Sequence, residues 1–407
     1  MFDTKSGATP SSGVEEYWDG NINWVTPEDV GKLVGRYIQN TRRRISEEGY
    51  KNCGVNLAPA KSLVLTKRAP IGQIAILSVE AACNQGCFLL TKQKGVDERF
   101  YYYTLVHLRP LLEILGRGST FMELSADDLR SVQLPYLKYD TQCLIADYLD
   151  RETARIDALV AEKEKMLALL EEKRAALISR AVTRGLNPDT PMKPSGLDWL
   201  GEIPEHWEVT HFKYVCDLNP KVDLSKLNEN DEVTFLPMDK IKSGYYIENI
   251  EPFLKYNSSY NPFAEGDIVI AKVTPCFENG NIAIAEKLRN QIGFGSSEIF
   301  VIRPSSAQRR FIFFYLQSDY FKQQGEASMT GAGGLKRVSP EFVQNHFIAM
   351  PPEEEQAAIA EFLDQRICRM REVGKTVKKT ISLLKERRAA LITAAVTGQI
   401  PLEEMRA

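Results

Sequence analysis

One stretch of this chain occurs twice, and this repeat limits what the chain can fold into more than any other feature. Residues 172–183 read EKRAALISRAVT and residues 386–397 read ERRAALITAAVT, an offset of 214 residues. The same offset matches five upstream pairs, which are Gln142/Gln356, Ile145/Ile359, Ala146/Ala360, Leu149/Leu363 and Asp150/Asp364. A self-match at constant register over this length predicts that the chain consists of two halves of one design.

Each copy of the repeat ends a segment with the composition of a long helix. Residues 139–182 contain no glycine or proline and are rich in Ala, Leu, Glu, Lys and Arg, which favour helices. The segment 353–396 is similar, although Gly374 costs it about 1 kcal/mol locally. Three acidic residues at its start, 353–355, suit a helix N-terminus. At about 1.5 Å per residue, forty residues predict a rod of about 60 Å.

Apolar residues recur along both helices with the spacing of a coiled coil. The predicted seam consists of Leu149, Ile156, Leu170 and Leu177 in the first helix and Leu363, Met370, Val377, Leu384 and Leu391 in the second. Leu159 and Met166 occupy the neighbouring seam position, and Lys163 interrupts the first heptad pattern. Two such seams in one chain predict an antiparallel pair, which would place the two domains at opposite ends.

A mixed α/β domain precedes each long helix. The first has short β-rich runs at 62–67, 73–77 and 86–91 and a helix predicted from Arg99 to Leu115. The second repeats this plan, because 267–275 matches 62–70, 281–285 matches 73–77 and 310–316 matches 99–105. The aromatic runs 101–103 and 313–315 are predicted to be helix core.

The predicted fold is therefore α/β, with two α/β domains separated by two long helices that form an antiparallel coiled coil with a pseudo-two-fold repeat. The predicted boundaries are 1–135 for the first domain, 136–190 for the first long helix and its linker, 191–350 for the second domain and 351–407 for the second long helix. The two long helices resemble each other in sequence far better than the two domains do. The domains are therefore predicted to share a backbone framework and to differ in the residues that it carries.

The overall composition excludes several classes of protein. A hydrophobic content of 43% with 26% charged residues is typical of a globular protein. No apolar run approaches the roughly 20 residues of a membrane span, and no secretory signal is visible. Seven scattered cysteines predict free thiols in a reducing cytoplasm. The net charge of −3 argues neither for nor against nucleic acid, so any DNA-binding face must be local, or a partner must supply part of the basic surface.

A search for catalytic motifs finds none. The chain has no phosphate-binding loop, no HExxH pair and no Gly-x-Ser-x-Gly elbow. His206 and His211 flank Trp207, a pattern that favours packing over a metal site. Asn261-Pro262-Phe263 lacks the second proline of the amino-methyltransferase loop and is predicted to be a turn. The sequence therefore predicts a protein that is not an enzyme and holds no cofactor or metal.

Basic residues and glycines lie on loops at matching positions of the two halves. Lysine, arginine and exposed backbone N–H groups are the usual contacts to phosphates. The candidate DNA-binding residues are Arg42, Arg43, Arg44, Lys67, Arg68, Gly72, Ser119, Thr120, Lys272, Asn279, Lys336 and Arg337. A solvated charge run would explain any one of them alone, and it is the matching placement that favours binding.

These residues together resemble the specificity (S) subunit of type I restriction-modification systems, over nearly the whole chain. The resemblance is carried by Gly7-Ala8-Thr9-Pro10-Ser11 with Tyr17-Trp18, the turn 67–72, Asn84-Gln85-Gly86, Gly118-Ser119-Thr120, the segment 196–207, Met350-Pro351-Pro352 and the segment 356–364. Singly these motifs are weak; in order and doubled, they are specific.

The resemblance implies two target-recognition domains, each of which reads one half of a bipartite site in double-stranded DNA. The helical pair would set the spacing of the half-sites and dock two methylation subunits, and restriction subunits would join the complex. S-adenosylmethionine, ATP and Mg²⁺ would be used by those partners and not by this chain.

One departure and two alternatives accompany this interpretation. The second half has the lead-in 199–207 and a predicted first strand, Phe212–Cys216, whereas the first half is predicted to lack both. A coiled-coil adaptor that binds proteins without DNA specificity is the main alternative. A fused methyltransferase would need a methyl-donor loop, and the sequence has none.

Overall fold

The computed structural model describes residues 1–116, 122–225, 227–253, 260–331 and 334–406. The chain forms two compact units, and each contains segments of both long helices. The first unit comprises Met1–Glu164 with Lys378–Ala407, and the second comprises Lys165–Val377.

The first half of the chain contains eight strands and six helices in its described residues. The strands are β1 Phe2–Ser6, β2 Trp18–Val25, β3 Tyr37–Ile38, β4 Arg44–Ile45, β5 Leu63–Thr66, β6 Ile74–Leu77, β7 Ala81–Cys83 and β8 Cys87–Lys92. The helices are α1 Pro27–Gly31, α2 Glu47–Asn52, α3 Glu98–His107, α4 Arg109–Leu115, α5 Ala126–Ser131 and the long α6 Tyr139–Arg184.

The second half follows the same order with more strands. Its strands are β9 Met192–Pro194, β10 Glu202–Pro204, β11 Glu208–His211, β12 Cys216–Leu218, β13 Glu232–Leu236, β14 Ile241–Lys242, β15 Tyr245–Tyr246, β16 Ile250–Pro252, β17 Asn261–Ala264, β18 Ile268–Ala271, β19 Ile282–Ile284, β20 Ile292–Gly295, β21 Ile299–Pro304 and β22 Phe347–Met350. Its helices are α7 Arg309–Tyr315, α8 Asp319–Ala327, α9 Pro340–Asn345, the long α10 Glu353–Val396 and α11 Leu402–Met405.

Both units contain the same two sheets. The main sheet, which contains β5 or β18, has the order β1-β8-β5-β6-β3 in the first unit and β12-β21-β18-β19 in the second. The other sheet contains β2 or β13, which pairs antiparallel with β4 or β16 and parallel with β7 or β20, and in the second unit β17 adds a fourth strand beside β20. Because the central strands β5 and β18 are buried at every residue, their continuous apolar sequences suit strands covered on both faces.

The first strand of each main sheet corrects the sequence prediction. The first half does have this strand, because β1 pairs antiparallel with β8 as β12 pairs with β21. In the second half, the predicted strand Phe212–Cys216 is wrong, since Phe212–Tyr214 forms a 3-10 turn and β12 begins only at Cys216. The alternating pattern of residues 2–6 is half exposed, which explains why an apolar search missed it.

Two further predictions about local structure are wrong. The helix predicted from Arg99 to Leu115 is two helices, α3 and α4, which meet at Leu108, immediately before Pro110 enters the first turn of α4. Asn261-Pro262-Phe263 is not a turn but the start of β17, an edge strand, where a proline costs no ladder hydrogen bond. The aromatic runs are helix core as predicted, since Tyr101, Tyr103 and residues 313–315 are buried.

The two long helices confirm the sequence prediction. Within the first unit, Asp157 and Glu164 of α6 form ion pairs with Arg388 and Lys385 of α10, at 2.8 Å and 3.3 Å. Partner numbers fall along α10 as they rise along α6, so these segments are antiparallel. Four seam residues are buried (Leu149, Ile156, Leu363 and Val377), and five are partly buried (Leu170, Leu177, Met370, Leu384 and Leu391). The neighbouring positions Leu159 and Met166 are exposed, which contradicts their assignment to the seam.

A buried glutamine fixes the start of each long helix to its own domain. In the first unit, Gln142 accepts a hydrogen bond from the backbone of Asp97 at 2.9 Å and donates to Leu137 O at 2.8 Å. In the second unit, Gln356 accepts from the backbone of Gln308 at 2.8 Å and donates to Pro351 O at 2.9 Å. Asp97 and Gln308 are the N-caps of α3 and α7, so the repeat joins equivalent helix ends.

All seven cysteines are free thiols, as the sequence predicts. Within the described residues, no helix is both long enough and apolar enough to cross a membrane.

Candidate nucleic-acid interface

The loop that follows β5 in the first unit and the loop that follows β18 in the second have the same backbone hydrogen bonds. In the first unit, Lys67 N donates to Gly86 O at 2.9 Å, and Lys67 O accepts from Leu124 N at 2.9 Å. In the second, Lys272 N donates to Glu298 O at 3.0 Å, and Lys272 O accepts from Val338 N at 2.9 Å. We call Lys67, Gly86 and Glu123 the first corner, and Lys272, Glu298 and Arg337 the second corner.

A short turn follows Lys67 in the first corner. Thr66 Oγ1 donates to Pro70 O at 2.6 Å and accepts from Gln73 N at 3.0 Å, which closes the turn after β5. Gly72 has a φ of +79°, and a Cβ there would lie 2.9 Å from Arg109 Cγ. The glycine at this position is therefore required by the backbone. The peptides preceding Pro70 and Pro275 are both cis.

In the first corner, the lysine is engaged by a carboxylate. Lys67 Nζ lies 2.8 Å from Glu123 Oε1, and the lysine side chain is only 15% exposed. The hydrogen bond from Lys67 lowers the pKa of the Glu123 carboxyl, so this carboxyl is ionised at neutral pH. Arg68 is partly exposed and forms no ion pair with the residues that the structure describes. Arg68, next to the first corner, is thus a cation that no carboxylate of the described residues holds.

In the second corner, a different cation is engaged. Arg337 Nε and Nη2 each donate to a Glu298 oxygen at 2.9 Å, which is the two-pronged arrangement that arginine makes with carboxylates. This hydrogen bonding lowers the pKa of Glu298. Lys272 is partly exposed, with Nζ 5.4 Å from the Phe300 ring centroid, and its ammonium makes no ion pair within the described part of the chain. Among the described residues, Lys272 is therefore the cation of the second corner that no carboxylate holds.

Two other predicted residues flank the second corner. Lys336 is exposed, and its backbone N–H donates to Thr274 Oγ1 at 3.0 Å. Asn279 is exposed in the turn after Pro275, to whose carbonyl its backbone donates at 2.9 Å. Ser119 and Thr120, which were predicted to contact DNA in the first half, lie outside the described residues.

The three consecutive arginines of the first half have three different surroundings. Arg42 forms an ion pair of 2.5 Å with Glu28 on α1. Arg43 stacks over the Trp18 ring at 3.6 Å, and Arg44 donates to Asn40 at 3.2 Å. Pro27, the first residue of α1, approaches Gly86, where an added Cβ would lie 2.9 Å from its Cγ. Helix α1 therefore links Arg42 to the first corner.

The N-terminal motif of the first half crosses the turn at Asn84. Ala8 N donates to Cys83 O at 3.1 Å, and Trp24 Nε1 donates to Ala8 O at 3.0 Å. A Cβ on Gly7 would lie 2.1 Å from Asn84 O, so only glycine permits this approach. Two motifs far apart in sequence thus lie side by side.

Sequence reasoning missed the acidic members of these sites. Glu28, Glu123 and Glu298 each hold a predicted DNA-binding cation, yet none has a periodic or motif signal. The one available signal was position, because Glu123 precedes Leu124 as Arg337 precedes Val338. Within the described ranges, no cluster of three His, Cys, Asp or Glu side chains could hold a metal ion.

Comparison with protein families places these features in a known context. The family model described as the type I restriction modification DNA specificity domain matches residues 1–168 and again residues 204–381. The two matches cover most of the chain, one in each half.

Two curated relatives match different shares of the chain. The EcoAI specificity subunit of Escherichia coli is 39% identical over 163 residues, which are 39% of this chain and 27% of that protein. The MjaIX specificity subunit of Methanocaldococcus jannaschii is 25% identical over 411 residues, covering 98% of this chain and 91% of that protein.

Solved structures share the fold. A chain from a structural study of complex assembly and conformational transition of the type I R-M system superposes with a TM-score of 0.70 at 14% identity, over 97% of both chains. The HsdS subunit from Thermoanaerobacter tengcongensis gives a TM-score of 0.51 at 16% identity, over 93% of this chain and 91% of that one.

Proposed function

Because this chain belongs to the family of type I restriction-modification DNA specificity subunits, we propose that it reads a bipartite sequence in double-stranded DNA. Each α/β domain reads one half of the site. The observation that supports this proposal is the pair of corners, in which one backbone frame carries different charged side chains. Two domains that share a backbone arrangement but carry different charged side chains suit a DNA target whose two halves differ in sequence.

We further propose that the long helices set the distance between half-sites and dock two methylation subunits. A helix of 46 residues has a length of about 70 Å. Five large non-aromatic apolar side chains on α6 and α10 are exposed, and a partner that packs against these helices would remove them from water. They are Leu159, Met166, Leu169, Val373 and Leu383.

The chemistry of modification and cleavage is assigned to partner subunits. In this proposal the methylation subunits use S-adenosylmethionine, and restriction subunits use ATP and Mg²⁺. The chain contributes the sequence preference of the complex.

Selection from a randomised duplex library tests the proposal. The chain is purified with methylation subunits, bound duplexes are recovered and sequenced, and the affinity is measured as a function of salt. We expect one bipartite consensus and a steep loss of affinity with salt, because phosphate contacts release counterions. Uniform recovery of all duplexes with a shallow salt dependence would instead support the protein-binding adaptor.

A further inference from the structure

Both corners hold the same chemical group, but they take it from different positions of the chain. The first corner has its carboxylate on Glu123, whose counterpart in the second half is Arg337. The second corner has its carboxylate on Glu298, whose counterpart in the first half is Gly86. These correspondences follow from the matching backbone hydrogen bonds of Lys67 and Lys272. Each corner therefore contains a carboxylate paired with a cation, although the two glutamates do not occupy equivalent positions of the repeat.

Stability of the fold does not explain these carboxylates. The side chains of Glu123 and Glu298 are 40% and 31% exposed. Both carboxylates remain in contact with solvent, where an ion pair contributes little to folding, even though the Lys67 side chain is only 15% exposed. The backbone of each corner is already held by the hydrogen bonds on either side of the lysine. Either glutamate could thus be neutral without loss of the frame.

Affinity for the DNA backbone does not explain them either. A carboxylate near phosphates is repelled and cancels one of the few cations of each corner. In a chain with a net charge of −3, this cancellation weakens any contact that depends on charge alone. A carboxylate in such a surface is favourable only where it meets a hydrogen-bond donor.

Double-stranded DNA offers few such donors. In the major groove, the donors are the exocyclic amino groups, N4 of cytosine and N6 of adenine. Both glutamates remain ionised at neutral pH because their cations lower the carboxyl pKa, so they act only as acceptors. Lys67 and Arg337 hold them in place, and the arginine does so through two hydrogen bonds.

We propose that Glu123 and Glu298 are specificity-determining residues, each of which accepts a hydrogen bond from an exocyclic amino group on the major-groove edge of one base pair. This inference rests on the proposed DNA-reading function. Lys67 and Arg337 are positioning residues in this scheme. The amino group belongs to cytosine or to adenine, and the experiment distinguishes the two.

The test compares the full chain with its Glu123→Gln and Glu298→Gln variants, each purified with methylation subunits and selected against the same randomised library. Each variant should lose preference at one base pair, in one half-site only, by roughly tenfold. Glutamine pairs well with adenine. A wild-type cytosine should therefore be replaced by adenine in the variant consensus, whereas a wild-type adenine should be retained with weaker discrimination.

Three controls keep the outcome interpretable. Asp127→Asn removes an exposed carboxylate that is paired with Arg130 on α5, outside the corner, and should leave both half-sites unchanged. Lys67→Met and Arg337→Met keep the carboxylates but free them, and should weaken discrimination at the same base pairs as the glutamine variants. Thermal unfolding confirms that each variant is folded.

The possible failures are distinct. If the wild-type chain yields no bipartite consensus, the proposed function is wrong. If the wild type yields a consensus but both glutamine variants keep it at every position, or lose affinity equally for all sequences, the proposed function stands and this inference is wrong.

Discussion

The two corners have the same backbone hydrogen bonds and opposite assignments of charge. In the first corner the lysine is paired and the neighbouring Arg68 has no ion pair, whereas in the second corner the arginine is paired and Lys272 has none, as far as the described residues extend. The backbone bonds lie next to strands that are buried at every residue, so a change there disturbs the core. The charged tips meet solvent, where most substitutions cost little. Two copies of one frame can therefore diverge in what they bind while they remain alike in how they fold.

The strongest test of this likeness is a pair of core truncations at equivalent positions. Leu149 and Leu363 are both fully buried in their units. Leu149→Ala and Leu363→Ala should each lower the free energy of unfolding by about 3 kcal/mol, through lost burial and the cavity left behind. Amide exchange resolved by peptide would show the loss in the first unit for one variant and in the second for the other. Leu159→Ala, at an exposed site, should cost under about 0.5 kcal/mol. Equal effects from all three would contradict the burial described above.

The buried glutamines give the next largest effect. Gln142→Ala and Gln356→Ala each leave a buried backbone group without its partner, the Asp97 N–H and the Pro351 carbonyl, and each should cost about 2 kcal/mol. Because the two glutamines make equivalent bonds, the two losses should agree closely. Denaturant titration of both variants measures them. A large cost in one unit and none in the other would break the symmetry of the helix starts.

Lowering the pH should destabilise the second unit more than the first. His346 is buried in the second unit beside Tyr315, and burial lowers its pKa from 6.5 to about 4. The unfolded chain takes up a proton as the pH falls through about 6.5, whereas the folded chain does so only near 4. The second unit should therefore lose stability over this window, by about 2 kcal/mol. Amide exchange at pH 7 and pH 4.5 measures the loss, and it should vanish in a folded His346→Asn variant.

The smallest expected effect concerns the two lysines. Lys272→Ala removes an unpaired cation and should weaken binding about fivefold for every sequence, with a salt slope reduced by about 1. Lys67 is already paired, so the double change Lys67→Met with Glu123→Gln removes one charge of each sign. Its salt slope on a random duplex should equal that of the wild type. Fluorescence anisotropy over a salt series measures both slopes, and equal slopes for all three proteins would remove Lys272 from the interface.

The repeat predicted most of the fold because burial acts on residues that a pattern can show. The helices α6 and α10 and the strands β5, β6, β18 and β19 lie where the apolar spacing and the self-match put them. The half-exposed strand β1 and the break before Pro110 were missed, since pairing partners and proline geometry decide them. For the candidate site, the cations were predicted from loop position. Their carboxylate partners were not, because Glu123 and Glu298 reach them across the fold from 56 and 39 residues away.

The chain segments that make up each unit have a consequence for folding during protein synthesis. The second unit is one continuous segment, Lys165–Val377, so it can fold as soon as that segment has left the ribosome. The first unit also needs Lys378–Ala407, from which Ile392, Ala395, Val396 and Met405 enter its core. Although its residues are made first, that core cannot close until the last of these residues has been added. The first unit can therefore be completed only after every residue of the second unit has been made.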